Sequence, residues 1–292
     1  MVAKYKNNSL TPIILIGAGR SGTKFFRNII SQNEETAAIP YDINYIWRYG
    51  NEDYKNDIIS PDDITKDIKD YINKNLLKLS NYKANKQNFL VEKTVSNTLR
   101  VPFVEEVLDH QAKFIHIIRD GRAVTESAYR MWNQPSDFKY LIKKLKYFPI
   151  TNYKYAFWFL KEKLRSIFDS SYVNVWGPRY QGIEKDLEKY SVLEVCAKQW
   201  QNCVEYANED LLKIPEDRKL TIRYEDLISD SKTLDKVCDF IGINDRDSIF
   251  DFYNKNLKVT NNEKWKTNLS KVEINKVNNI IENTLKKLNY ID

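Results

Sequence analysis

One stretch constrains this chain more than any other: Pro12 to Ile30, which reads PIILIGAGRSGTKFFRNII. Ile13-Ile14-Leu15-Ile16 is a short unbroken apolar run, the pattern of a strand buried on both faces of a parallel sheet. Gly17, Gly19 and Gly22 turn the chain, and Phe25, Phe26, Ile29 and Ile30 then recur at helical spacing. A strand, a Gly-rich turn and a helix start together make an anion pocket. The first N–H groups of the helix lack internal partners, its dipole is positive there, and glycine admits a close ligand. Arg20 and Lys24 add cationic side chains, so a phosphate-bearing ligand is expected.

Three motifs compete for this turn. Gly17-x-Gly19-x-x-Gly22 fits the dinucleotide fingerprint, and Asp42 falls where a ribose-binding acid would. That leaves a nicotinamide- or flavin-binding (NAD/FAD) oxidoreductase as an alternative, although Arg20 is unusual in a loop that packs on a pyrophosphate. A Walker loop is a near miss, because Thr23-Lys24 follows Gly22 where lysine then serine or threonine is needed. A serine-hydrolase elbow fails for want of the second glycine. A nucleotide binder without chemistry is a further alternative.

At 292 residues the chain can bury a substantial core, and it reads as a single α/β domain, 1–292. It holds no 18-residue apolar run and no signal-like start, so a cytoplasmic protein without a membrane span is expected. The net charge of +6 suits a small anionic ligand and argues little for nucleic acid. Cys196, Cys203 and Cys238 lack metal-type spacing and read as reduced core thiols. Only two histidines occur, which disfavours a histidine triad or a multi-histidine metal site; His116, inside an apolar run, reads as a satisfied strand residue.

Strands are expected at Thr36–Ile39, Phe89–Val91, Lys113–Ile118 and Leu220–Arg223, with helices between them. Asp42 follows the second strand, as a turn acid or as a catalytic base. Tyr45, Trp47 and Tyr49 with Arg48 form an aromatic-basic patch that stacks on a ligand or packs. Residues 50–86 read as a surface helix with polar flanks. Lys93 follows a buried strand, and ligands of open α/β sheets gather at the carboxyl ends of strands. Arg119 ends the FIHII strand as part of Arg119-Asp120-Gly121-Arg122, a second strand-to-helix turn rich in arginine, with Ser127 eight residues on. Residues 134–190 read as a helical insertion ending in the loop Trp176–Gly182, and Lys271 opens a closing amphipathic helix.

At Arg20-Ser21-Gly22-Thr23 and the Arg119/Ser127 pair the chain resembles sulfotransferases that use 3′-phosphoadenosine-5′-phosphosulfate (PAPS). The segment from Glu92 to Arg130 is similar to the bacterial and tyrosylprotein-sulfotransferase branches over its whole length. The resemblance implies a three-layer P-loop-like fold with a central parallel sheet flanked by helices. It implies a 5′-phosphosulfate loop at Arg20, Ser21, Gly22, Thr23 and Lys24, with lysine at 24 where relatives often carry threonine. It places the 3′-phosphate at Arg119 and Ser127, the adenine at Tyr224, and a closing nucleotide loop at Lys258, Lys264, Trp265 and Lys266.

The implied reaction moves a sulfuryl group to a hydroxyl, or an amine, of a small-molecule or carbohydrate acceptor. Arg20 and Lys93 would stabilise the leaving phosphate and Asp42 would take the acceptor proton, with Glu34, Glu35 and Glu92 as alternative bases. The family needs no metal, because the sulfuryl group carries less charge than a γ-phosphate.

Overall fold

The structure is a computed structural model that describes residues 10–134, 175–257 and 262–292. Its elements run β1 (Thr11–Ile16), α1 (Thr23–Ile30), β2 (Thr36–Ala38), α2 (Asn44–Trp47), α3 (Lys66–Leu79), β3 (Phe89–Glu92), α4 (Val101–Val107), β4 (Lys113–Ile118) and α5 (Gly121–Trp132). There follow α6 (Ile183–Lys189), α7 (Val192–Leu211), β5 (Lys219–Arg223), α8 (Tyr224–Ser229), α9 (Lys232–Ile241), α10 (Asp247–Asn256), α11 (Trp265–Asn268) and α12 (Lys271–Lys287). The expected strands and long helices are present within a residue or two. The helix expected at Leu99–Leu108 is α4, and a 3₁₀ turn at Val95–Leu99 precedes it. The helices expected near Phe138–Tyr147 and Tyr153–Phe168 lie outside the described residues.

The strands form a five-stranded sheet in the order β2-β3-β1-β4-β5, parallel throughout. Alternate residues of the apolar strands serve opposite faces. Ile14, Ile16, Leu90 and Phe114 pack with Ile72 and Leu76 of α3 and Phe103 and Val104 of α4. Ile13, Leu15, Val91, Ile115 and Ile117 pack with Phe26 and Ile29 of α1 and with α9. Ile13 to Ile16 are fully buried, each side chain contributing roughly 1.5–3 kcal/mol of transfer free energy. This two-sided burial is why β1 reads as a continuous apolar run. A third cluster joins α5, α7 and α12 through Val124, Trp200 and Ile281. Ser191 with Glu194, and Ser270 with Glu273, form capping boxes that start α7 and α12.

Parallel strands share one carboxyl edge, so the loops after β1, β2, β3, β4 and β5 open onto a common rim. Gly17–Gly22, Tyr41–Ile43, Lys93–Thr94, Arg119–Asp120 and Tyr224 all follow strand ends there. The strand order also corrects one expectation. A dinucleotide sheet places β1 beside β2, whereas β1 here lies between β3 and β4. Asp42 consequently follows a strand that is not a neighbour of β1, and the fingerprint spacing does not mark a dinucleotide fold.

No helix among the described residues is long and apolar enough to cross a membrane. Residues 50–86 depart from the surface reading. Ile68, Ile72 and Leu76 of α3 are core, and Asp57, within the polar flank, is buried.

Candidate active site

The loop after β1 is built tightly. Gly17 has φ 148°, and a Cβ there would meet the Ile117 carbonyl oxygen at 2.5 Å. Its amide donates to Thr98 Oγ1 at 2.8 Å, and Thr98 Oγ1 donates back to the Gly17 carbonyl at 3.1 Å. Arg20, at the turn, holds φ 78°, a left-handed conformation uncommon for a residue with a side chain. Gly22 has φ 95°, and a Cβ there would lie 2.4 Å from the Tyr224 ring. Helix α1 begins without a side-chain cap, so its leading N–H groups are not satisfied by one. Ser21 is buried, and its Oγ has no hydrogen-bond partner among the described residues. Lys24 is exposed in the first turn of α1, where the helix dipole disfavours a cation unless an anion is near. This loop fits a phosphate group.

The second corner meets the first. Arg20 Nε donates to Ser127 Oγ at 2.9 Å, so this α5 serine binds across to the loop. Arg119 Nη1 donates to the Arg20 carbonyl oxygen at 3.0 Å, and its guanidinium lies 4.6 Å from the centre of the Tyr224 ring. Desolvation, with Arg130 and Arg119 nearby, draws the Arg20 pKa below its ordinary value, while Glu126 opposes the shift. Arg119 Nε donates to Asn262 Oδ1 at 3.0 Å. Glu225 Oε1 accepts from the Asp120 amide at 3.0 Å and from Asn262 Nδ2 at 3.3 Å, and its other oxygen accepts from the Tyr290 hydroxyl. Tyr224 thus lies against both corners.

On the other flank, Lys93 Nζ lies 3.7 Å from Asp42 Oδ2, with both side chains partly exposed. Asp42 Oδ2 also accepts from the Val95 amide at 3.1 Å, and Oδ1 accepts from the Asn44 amide at 3.2 Å. Behind this pair sits a buried polar network. Glu92 accepts from Thr94 Oγ1 at 2.5 Å and from Asn97 Nδ2 at 3.0 Å, and desolvation pushes its carboxyl up to about 7. Arg100 donates to Asn97 Oδ1 at 2.9 Å and to Asn44 Oδ1 at 2.6 Å. Asp57 accepts from Arg48 at 3.1 Å, Asn44 at 3.0 Å, Ser96 at 2.8 Å and the Arg179 amide at 2.8 Å. Burial alone would raise the Asp57 carboxyl, but Arg100 and Arg48 outweigh it and hold it below the usual carboxylate range.

Packing bears on three sequence readings. Tyr45, Trp47 and Arg48 are buried, so this patch packs and does not present a stacking face. His116 is fully buried, but neither ring nitrogen has a partner among the described residues; burial alone lowers its pKa to about 4 and keeps it neutral. Trp265 is buried with the Arg122 guanidinium 4.4 Å from its ring centre, while Lys264 and Lys266 are exposed and Lys266 pairs with Glu263 at 2.5 Å. Lys258 lies outside the described residues. Thr98, Glu225 and Asp57 were not singled out from sequence. Glu225 sits beside Tyr224, a usable signal, whereas nothing local marks Asp57.

A phosphate loop after β1, facing a cationic strand end after β4 in this strand order, defines a nucleotide-phosphate-binding α/β protein of the P-loop-like architecture. The family model described as "Sulfotransferase domain" matches residues 10–289, and the chain belongs to that family. It is an enzyme of sulfuryl transfer. Solved structures similar to it include the sulfotransferase domain of the Synechococcus PCC 7002 olefin synthase, 14% identical over 96% of this chain and 98% of that one, with a TM-score of 0.52. The sulfotransferase STF9 from Mycobacterium avium is 10% identical over 97% of this chain and 78% of that one, with a TM-score of 0.52. A mouse sulfotransferase solved with PAP is 16% identical over 95% of this chain and 84% of that one, with a TM-score of 0.45. Curated protein sequences yield no significant match.

Proposed function

We propose that the chain transfers the sulfuryl group of PAPS to a hydroxyl of a small-molecule or carbohydrate acceptor, at a single site on the carboxyl rim of one domain. The observation that carries this reading is the meeting of the two corners, Arg20 bonded to Ser127 and Arg119 bonded to the Arg20 carbonyl. That spacing suits one bisphosphorylated adenosine held at both ends. The backbone N–H groups from Ser21 to Thr23 and the Arg20 guanidinium bind the 5′-phosphate, with Lys24 able to reach it from α1. Arg119 and Ser127 take the 3′-phosphate, Tyr224 lies against the adenine, and Lys258, Lys264, Trp265 and Lys266 close the nucleotide side.

In the reaction the acceptor oxygen bonds to sulfur as the bond from sulfur to the 5′-phosphate oxygen breaks, and 3′,5′-ADP leaves. Arg20 and Lys93 stabilise the charge that grows on the leaving oxygen. Asp42 receives the acceptor proton; its bonds from the Val95 and Asn44 amides orient it, and Lys93 lies 3.7 Å from its Oδ2. Three buried free cysteines are compatible with a cytoplasmic location. The test is thermal shift with 3′,5′-ADP, NAD and ATP, followed by labelled-sulfate transfer to an acceptor panel. A ligand at 100 times its dissociation constant stabilises by roughly 2.7 kcal/mol. Stabilisation by 3′,5′-ADP with label transfer is the expected result; stabilisation by NAD alone would overturn the reading.

A further inference from the structure

The loop Trp176–Gly182 joins neither the sheet nor the nucleotide corners by sequence, yet the fold anchors it from two sides. Asp57 donates its backbone N–H to the Arg179 carbonyl at 2.8 Å and accepts the Arg179 N–H on Oδ2 at 2.8 Å. Gln199 of α7 donates from Nε2 to the Trp176 carbonyl at 2.9 Å and to the Pro178 carbonyl at 2.7 Å. Asp57 and Gln199 are both buried, so these bonds are sheltered from water. The anchored loop lays the Trp176 ring against the phosphate loop, 3.4 Å from where a Gly19 Cβ would stand. A Cβ at 19 would stand in van der Waals contact with that ring.

The anchor also decides which flank the tryptophan belongs to. Through Asp57 the loop shares one carboxylate with Asn44, two residues from Asp42, and with Ser96, three residues from Lys93. Arg179, three residues on from Trp176, thus ties the loop to the segments that carry the proposed base and lysine, while Trp176 itself meets the phosphate loop. It is half-buried, and the bonds from Gln199 to the Trp176 and Pro178 carbonyls leave its backbone little freedom to withdraw. A fixed aromatic face beside the seat of the reacting group is suited to a ring-shaped partner, which loses little entropy on stacking.

We propose that Trp176 is a specificity-determining residue of the acceptor side, offering a stacking face to a ring-bearing acceptor, and that Asp57 is the positioning residue holding that face in place. The inference rests on the sulfotransferase reading and deepens it. The test is calorimetric binding of 3′,5′-ADP to the full chain, then of 1-naphthol and methyl β-D-glucopyranoside as ring probes in its presence. Trp176→Ala is expected to weaken a ring probe by at least about tenfold and Trp176→Phe much less, the scale of truncating a buried aromatic contact. The 3′,5′-ADP affinity should stay within about twofold in both, since no nucleotide contact is removed. Asp57→Asn should weaken the same probe with Trp176 intact, while 3′,5′-ADP still binds and so reports a folded chain. Wild type failing to bind 3′,5′-ADP would sink the underlying reading. Wild type binding 3′,5′-ADP but neither ring probe, a Trp176→Ala chain that binds the probe unchanged, or one that loses nucleotide in parallel, would each overturn the assignment of Trp176. Unchanged probe binding by Asp57→Asn would remove the positioning role.

Discussion

The two flanks of β1 handle charge in different ways. Beyond β3, the ionic groups satisfy one another inside the protein: Arg48 and Arg100 meet Asp57, and Lys93 meets Asp42. Beyond β4, Arg20 and Arg119 are held by a hydroxyl, a carbonyl, an amide oxygen and a ring face. Phosphate oxygens can replace such neutral acceptors at a gain, because charge-assisted bonds are about twice as strong as neutral ones. A pre-paired flank keeps its geometry through a catalytic cycle. Arg20 and Arg119, with these bonds to neutral acceptors, can take up an anionic nucleotide and release it again, while Arg122 beside them stays paired with Asp120 at 2.7 Å.

Breaking the paired flank should show first in stability. Glu92 binds its proton more tightly when folded, with its carboxyl raised from 4.5 to about 7 by desolvation. Between those values the unfolded chain releases a proton that the native chain keeps, so stability falls as pH rises through this window and is level above it. The loss is on the order of 3 kcal/mol, at about 1.4 kcal/mol per pKa unit. Urea unfolding at pH 5 and pH 8 should show this component in the wild type and a flatter profile in Glu92→Gln. An unchanged slope would remove Glu92 as its source.

Next in size, Asp42→Asn should lower turnover about 100-fold, the usual scale for loss of a general base. Its 3′,5′-ADP affinity should be nearly unchanged, because Asp42 lies on the acceptor flank. Near-normal turnover would reduce Asp42 to a turn acid that orients Val95 and Asn44.

The smallest expected effect probes the open flank. Arg119→Ala should weaken 3′,5′-ADP binding by about tenfold or somewhat more, the range for losing a bond to a charged group. Calorimetry that finds the affinity intact would break the contrast between the flanks at its nucleotide side.

Much of this was legible from local pattern. The apolar runs, glycine turns and helical periodicities along the chain encode which segments become strand, turn and helix, and the residues ending each strand announce the rim. Arg20, Lys93 and Arg119 could be picked out because each stands at a strand end or glycine turn, while Ser21 and Ser127 were implied by the family resemblance. Asp57 could not: it lies in a stretch rich in Asn, Asp and Lys whose composition is that of a solvated surface. Its burial depends on partners 9 to 122 residues away, Arg48 at one extreme and Arg179 at the other.

The amino-acid sequence by itself therefore determined the strand, glycine turn and helix start at Ile13–Ile30 and the parallel α/β class, since short-range periodicity and turn chemistry suffice for those, whereas the nucleotide-side residues were implied by the family resemblance. Only the tertiary structure decided the order of the strands, the pairing of Asp42 with Lys93, and the seating of Trp176 on Gly19. Each of these is a contact between segments far apart in the chain, and the energy of such a contact is set by burial and geometry that no local pattern carries.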